Sequence, residues 1–129
     1  MRYILMTYQG PDHIEAWETS SVDQKKAEMG AVMAWFAEHG AAGRIVGGEE
    51  LGWPRQARTV RKRGISDGPY IETKEMIGGF IVVEVESEAR ALEMAAAWPG
   101  LRWDDDAVEV RPVGSSPDEV AAQEASERG

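Results

Sequence analysis

The sequence predicts an α+β domain in which two βαβ units flank a small inserted hairpin. Three observations carry this. Residues 3–8 (Tyr3-Ile4-Leu5-Met6-Thr7-Tyr8) and 79–86 are apolar, β-favouring runs of strand length. Two amphipathic segments, opened by Ser21 and Ser87, have helical spacing and helix-start chemistry. Between them, glycines and Asp67-Gly68-Pro69 mark turns around short polar strands.

Taken in order, residues 3–8 form a first strand covered on both faces, hence central, and Gly10-Pro11 ends it. Residues 12–20, with Asp12, His13 and Trp17, read as a loop or weak helical turn. At Ser21-Val22-Asp23-Gln24 the hydroxyl and the amide can each bond the other residue's backbone N–H, a capping box. The helix it opens sets Met29, Val32, Met33 and Phe36 as a buried stripe, and Gly40 and Gly43 stop it. Residues 44–51 are the second strand, whose Gly47-Gly48 pair implies a bulge or a closely approaching backbone. Residues 57–63 are strand-like but polar, and 64–68 connect them to a short partner at Tyr70-Ile71. The run 79–86 is the strongest strand. Ser87 caps a second helix with Leu92, Ala95 and Ala96 inward, stopped by Pro99-Gly100. Residues 107–113 alternate as the last strand. The order is a ferredoxin-like βαββαβ with an inserted β-hairpin, occupying residues 1–113. Residues 114–129 are an acidic C-terminal tail in which Ser116-Pro117 starts a short, weakly held helix.

Composition narrows the functions. A chain of 129 residues is one domain by length. A net charge of −9 argues against a nucleic-acid partner, since a phosphate backbone is bound by clustered cations. Without cysteine there are no disulfides, thiolate metal sites or cysteine nucleophiles. Two histidines cannot make a three-histidine zinc centre, and Asp104-Asp105-Asp106 lacks the spacing of a calcium loop, so no metal is expected. That acidic triplet reads as a solvated turn. No apolar run is long enough to span a membrane and none resembles a signal peptide, so a soluble cytoplasmic protein is expected.

Candidate chemistry concentrates around the central turn. Asp67, Glu72 and Lys74 could supply a general acid/base pair and a cation for a developing anion; otherwise they are solvated ion pairs. Tyr70 could stack on a ligand and Glu75 bond it, while Gly48 and Gly79 could admit a ligand to the backbone or serve tight strand pairing. His13, beside Asp12, could transfer protons with a carboxylate to orient it, or lie exposed. His39, in the last turn of the first helix, is explained by the helix dipole. Arg55, Arg58, Arg61, Lys62 and Arg63 form the one basic stripe, which could attract an anion but more simply pairs with the chain's own acids.

Asp67-Gly68-Pro69-Tyr70, followed by Glu72-Thr73-Lys74-Glu75 and Gly78-Gly79-Phe80, resembles the signature of the DGPF group of YCII-related proteins, and the resemblance runs from Tyr3 to about Val113. It implies a homodimer, a dimeric α/β barrel in which two sheets cover each other. Tyr3, Leu5, Phe80 and Val82 are the apolar residues expected on the covered face. It implies a small-molecule cleft near the central turn with cofactor-free acid/base chemistry of lyase or isomerase type. The alternative is a non-catalytic binding or regulatory module, as relatives resemble domains attached to transcription regulators. Some relatives resemble enzymes with a His–Asp pair whose histidine lies mid-way along the first helix. Here that stretch reads Met29-Gly30-Ala31-Val32-Met33-Ala34, without histidine, which argues against the pair.

Overall fold

The computed structural model describes residues 1–69, 76–114 and 117–128. Strand β1 (Arg2–Gln9) is followed by helices α1 (Pro11–Thr19) and α2 (Val22–Ala41), then β2 (Ile45–Glu50). After a 3-10 turn at Pro54–Gln56 come β3 (Arg58–Arg61), β4 (Gly64–Asp67), β5 (Met76–Glu84), α3 (Glu88–Ala96), β6 (Ala107–Pro112) and α4 (Pro117–Arg128). The main sheet has the order β2-β5-β1-β6, with antiparallel neighbours, and β3-β4 stand apart as a hairpin. This is the ferredoxin-like arrangement with an insertion before its third core strand.

Register decides which residues meet the helices. Tyr3 lies opposite Val83 and Leu5 opposite Ile81, so these four share one face, and all are buried. With Trp35, Val85, Ala91, Met94 and Ala95 they form the core under α2 and α3. Ile4 opposite Val82 and Met6 opposite Phe80 therefore occupy the other face, each half-buried. The sequence reading placed Tyr3 and Leu5 beside Phe80 and Val82; pairing puts the two sets on opposite sides.

Both helix starts form as predicted. Ser21 Oγ accepts from Gln24 N (3.1 Å) while Gln24 Oε1 accepts from Ser21 N (2.8 Å), and Ser87 Oγ accepts from Arg90 N (3.2 Å). The inward faces differ from expectation. In α2, Trp35 and His39 are buried and Met29 and Met33 exposed. Residues 11–19 form a true helix, and Gln24, Ala27 and Glu28 of α2 share a groove with its Ala16 and Thr19. In α3 the buried residues are Ala91, Met94 and Ala95, leaving Leu92 and Ala96 outside.

The hairpin also closes earlier than expected. Arg61 pairs with Gly64 across Lys62-Arg63, so the partner strand is Gly64–Asp67. Gly64 at φ +146° supplies the backbone geometry that lets the chain reverse there. Between β2 and β5, the pairing shifts between Ile45 and Gly47, the bulge that the paired glycines imply.

Candidate functional site

The site lies where β1 ends and β6 begins. Gly10 precedes α1 and Pro11 occupies its first turn, where a missing N–H costs nothing. This places His13 on the buried side of α1. From the other direction, the turn before β6 carries Asp106, whose side chain is wholly buried. The two meet: His13 Nδ1 is 2.9 Å from Asp106 Oδ2.

Four donors converge on that carboxylate. Gly10 N donates to Oδ1 (3.1 Å); Arg102 N (3.1 Å), Trp103 N (2.9 Å) and His13 Nδ1 all reach Oδ2. Burial pushes the Asp106 carboxyl up, but the bonds from His13, Gly10, Trp103 and Arg102 outweigh it and hold the group below its ordinary 3.8. An ionised acceptor requires a proton on Nδ1, so in the neutral form of the ring the lone pair lies on Nε2. Nε2 makes no bond to a described residue, and among these residues no buried side-chain nitrogen or oxygen lacks a partner. His13 as a whole is buried, with about a tenth of its side chain exposed. An imidazole oriented through one nitrogen by a buried carboxylate, with the other not bonded to any described residue, has the arrangement a general base needs.

Gly10 is required by this packing. A Cβ there would lie 2.3 Å from Asp105 Cβ, so any larger residue would push the Asp106 turn off the end of β1. A groove of about 490 Å³ runs between α1 and α2, with Ala16, Ala27 and Gln24 on its walls. Arg102, whose backbone holds Asp106, also lines it and ion-pairs there with Glu28.

Of the residues that the sequence singled out, Asp67, Gly48 and Gly79 make none of the bonds to His13 or Asp106. Asp67 ends β4 with an exposed side chain 3.9 Å from Arg58 Nε, so this part of the basic stripe pairs internally. Gly68 N donates to Ala57 O (2.8 Å), and Gly68 O accepts from Thr59 Oγ1 (2.8 Å), tying the turn to the hairpin. Tyr70, Glu72, Lys74 and Glu75 lie outside the described residues. Gly48 and Gly79 sit where strand backbones approach: a Cβ on Gly48 would lie 2.3 Å from Phe80 O, and one on Gly79 2.8 Å from Glu49 O. Sequence reasoning named His13 but gave it Asp12 as partner, and it dismissed Asp106 as solvated. The legible signal was Gly10-Pro11 after a strand, which fixes a helix start two residues before His13. Among the described residues no cluster of three or more His, Asp or Glu side chains could hold a metal, and no helix is long and apolar enough to cross a membrane.

Fold and site together define a small ferredoxin-like α+β protein with a buried His–Asp pair at one end of its sheet. The chain belongs to the YCII-related domain family, whose match spans residues 1–115. It is 26% identical over 117 residues to the uncharacterized protein R00369 of Rhizobium meliloti strain 1021, covering 88% of this chain and 92% of that one. Its fold is similar to that of 5-chloro-2-hydroxyhydroquinone dehydrochlorinase from Burkholderia phenoliruptrix AC1100, solved with 2,5-dihydroxybenzoquinone. That likeness has a TM-score of 0.53 and 15% identity, and it covers 92% of this chain and 98% of the other.

Proposed function

We propose that the protein binds a small molecule and catalyses a cofactor-free proton transfer on it, with His13 as base and Asp106 as its orienting carboxylate. The observation that carries this is the buried 2.9 Å contact between His13 Nδ1 and Asp106 Oδ2, with no described residue bonded to Nε2. The reaction class is removal of a proton beside a carbonyl. In elimination, a C–H proton, or for a chlorinated hydroquinone in its keto form the O–H proton conjugated with the C–Cl carbon, goes to Nε2, its electron pair forms the new double bond, and the leaving group departs with the electrons that bound it. Loss of hydrogen chloride, the activity named for the similar solved structure, belongs to that class. In this reading Asp67, Glu72 and Lys74 would act on the substrate as a second set of charged groups, with Tyr70 and Glu75 as ligand contacts. The test is chloride release from 5-chloro-2-hydroxyhydroquinone, with deuterium uptake by enolisable hydroxy-ketones as the isomerase arm. His13→Gln is expected to lower the rate at least about 100-fold while leaving the fold intact. A His13→Gln variant within about twofold of wild type would remove His13 from the reaction. No turnover in either arm would favour the non-catalytic binding or regulatory reading.

The proposal includes a homodimer. Ile4, Met6, Phe80 and Val82 form a half-buried apolar patch on the sheet face away from the helices, and an open sheet face of this kind is covered in a stable protein. Analytical ultracentrifugation at micromolar concentration should show a dimer, and Phe80→Glu should shift it toward monomer. A wild-type monomer under those conditions would refute the assembly.

A further inference from the structure

We infer that the groove between α1 and α2 binds substrate as a small planar oxyanion, a hydroxy-carbonyl compound or carboxylate, which takes Arg102 from Glu28. The inference rests on the reading of His13 as base and names the substrate class of that site. The groove's lining does not include His13 or Asp106, but two of its residues link it to the pair. Its α1 wall includes Ala16, one turn beyond His13 on the same side of the helix, and Arg102 carries the backbone N–H that holds Asp106. The apolar residues of its lining are Ala16 from α1 and Ala27 from α2, whose small side chains leave room for a flat molecule between the helices.

The polar side chains of the groove are mostly committed. Thr19 Oγ1 donates to Glu15 O (2.9 Å), and Ser20 Oγ donates to Ala16 O. Gln24 Oε1 takes the Ser21 N–H, so only its amide nitrogen remains to bond a ligand. That leaves Arg102 as the cation in the wall, its side chain about half open (44%) and its described ion pair made to Glu28 through one terminal nitrogen. A guanidinium has five N–H donors arranged for two-point contact with a carboxylate or similar oxyanion. Glu28 thus occupies the guanidinium with the chemical group that a ligand would present. A partly exposed ion pair contributes little to stability, so exchanging one carboxylate for another is cheap. Because Asp106 is held by the backbone N–H of Arg102, changing the side chain leaves those bonds in place.

The two partners should therefore act on anion binding with opposite signs. Using 2,5-dihydroxybenzoquinone as the probe and equilibrium dialysis on the full chain, Arg102→Gln is expected to weaken binding at least about tenfold. Glu28→Gln should tighten it several-fold, because the competing carboxylate is gone. Arg102→Lys should fall between wild type and Arg102→Gln, since it keeps the charge and loses the fork. Uncharged hydroquinone should bind no better to Glu28→Gln than to wild type. Unchanged far-UV circular dichroism and urea midpoint in each variant keep the comparison free of unfolding. The inference is overturned if Arg102→Gln binds within about twofold of wild type, if both substitutions shift binding in the same direction, or if neither wild type nor Glu28→Gln binds the probe. His13→Gln separates the two readings. It should keep binding while losing turnover, so failure of the Arg102 arm with His13 dependence intact removes this inference alone. Turnover indifferent to His13, with the opposite-sign binding result, removes the base assignment and keeps the anion site.

Discussion

Asp106→Ala is expected to lower the free energy of unfolding by about 3–5 kcal/mol at pH 7, measured by urea denaturation, because breaking a buried ionic network leaves its partners stranded. Four donors lose their acceptor at once: the backbone N–H groups of Gly10, Arg102 and Trp103, and His13 Nδ1. Alanine also leaves a cavity too polar to stay dry. Asp106→Asn should cost less, about 1–3 kcal/mol. Its carbonyl can stand in for Oδ2 and keep three donors, but its amide then turns N–H groups toward the Gly10 N–H. The pH dependence separates charge from shape. With its native value held below 3.8, the carboxyl stays ionised in the folded protein where the unfolded chain begins to take up protons. Its stabilisation is therefore complete above about 3.8 and is lost as pH falls through the lower native value. Asp106→Asn should flatten that acid limb, and an acid limb unchanged in Asp106→Asn would show that another carboxylate governs it.

This carboxylate also shows what the sequence could and could not reveal. The core strands and both helix caps were legible, because alternation, apolar runs and Ser-led starts are local patterns. The hairpin's existence was legible, but its partner strand was not. A turn through Lys62-Arg63 has none of the usual turn residues except the Gly64 that follows, so Asp67-Gly68-Pro69 looked like the stronger signal. Sheet faces could not be assigned from single strands, since only the register of β1 against β5 separates Tyr3 and Leu5 from Phe80 and Val82. The site was half visible. His13 announces itself as chemistry, but its partner is 93 residues away, in a run of three aspartates that composition marks as solvated. Burial of one aspartate of three depends on backbone donors from Gly10, Arg102 and Trp103, and backbone N–H groups leave no trace in a sequence. The same blindness applies to Arg102 and Glu28, an ion pair between residues 74 positions apart that only the folded chain brings together.

Trp35→Ala is expected to destabilise the protein by about 3–5 kcal/mol, a cost dominated by lost packing in the core. Trp35 is buried (4%) and stands at the centre of an aromatic group between α2 and the end of α3. Its ring lies 5.1 Å from Phe36, 5.0 Å from Trp98 and 4.7 Å from His39, edge-on to the first two. Its Nε1 donates to Met94 O (3.1 Å), a carbonyl close to the end of α3. Trp35→Phe keeps most of the packing and loses that bond, so its cost should be about 1–2 kcal/mol. The ring also shields His39, whose pKa is pushed below its ordinary 6.5 by burial and by the charge of Arg44, which donates to Nδ1 at 3.1 Å. A neutral native histidine whose unfolded counterpart protonates adds stability above about 6.5 that is lost as pH falls toward its native value. Removing the indole admits water to the imidazole and lets it charge in the folded state. Trp35→Ala should therefore show, besides its lower midpoint at neutral pH, a smaller loss of stability between pH 6.5 and the native value of His39 than wild type shows. A steeper loss in that interval would mean that the indole is not what keeps His39 neutral.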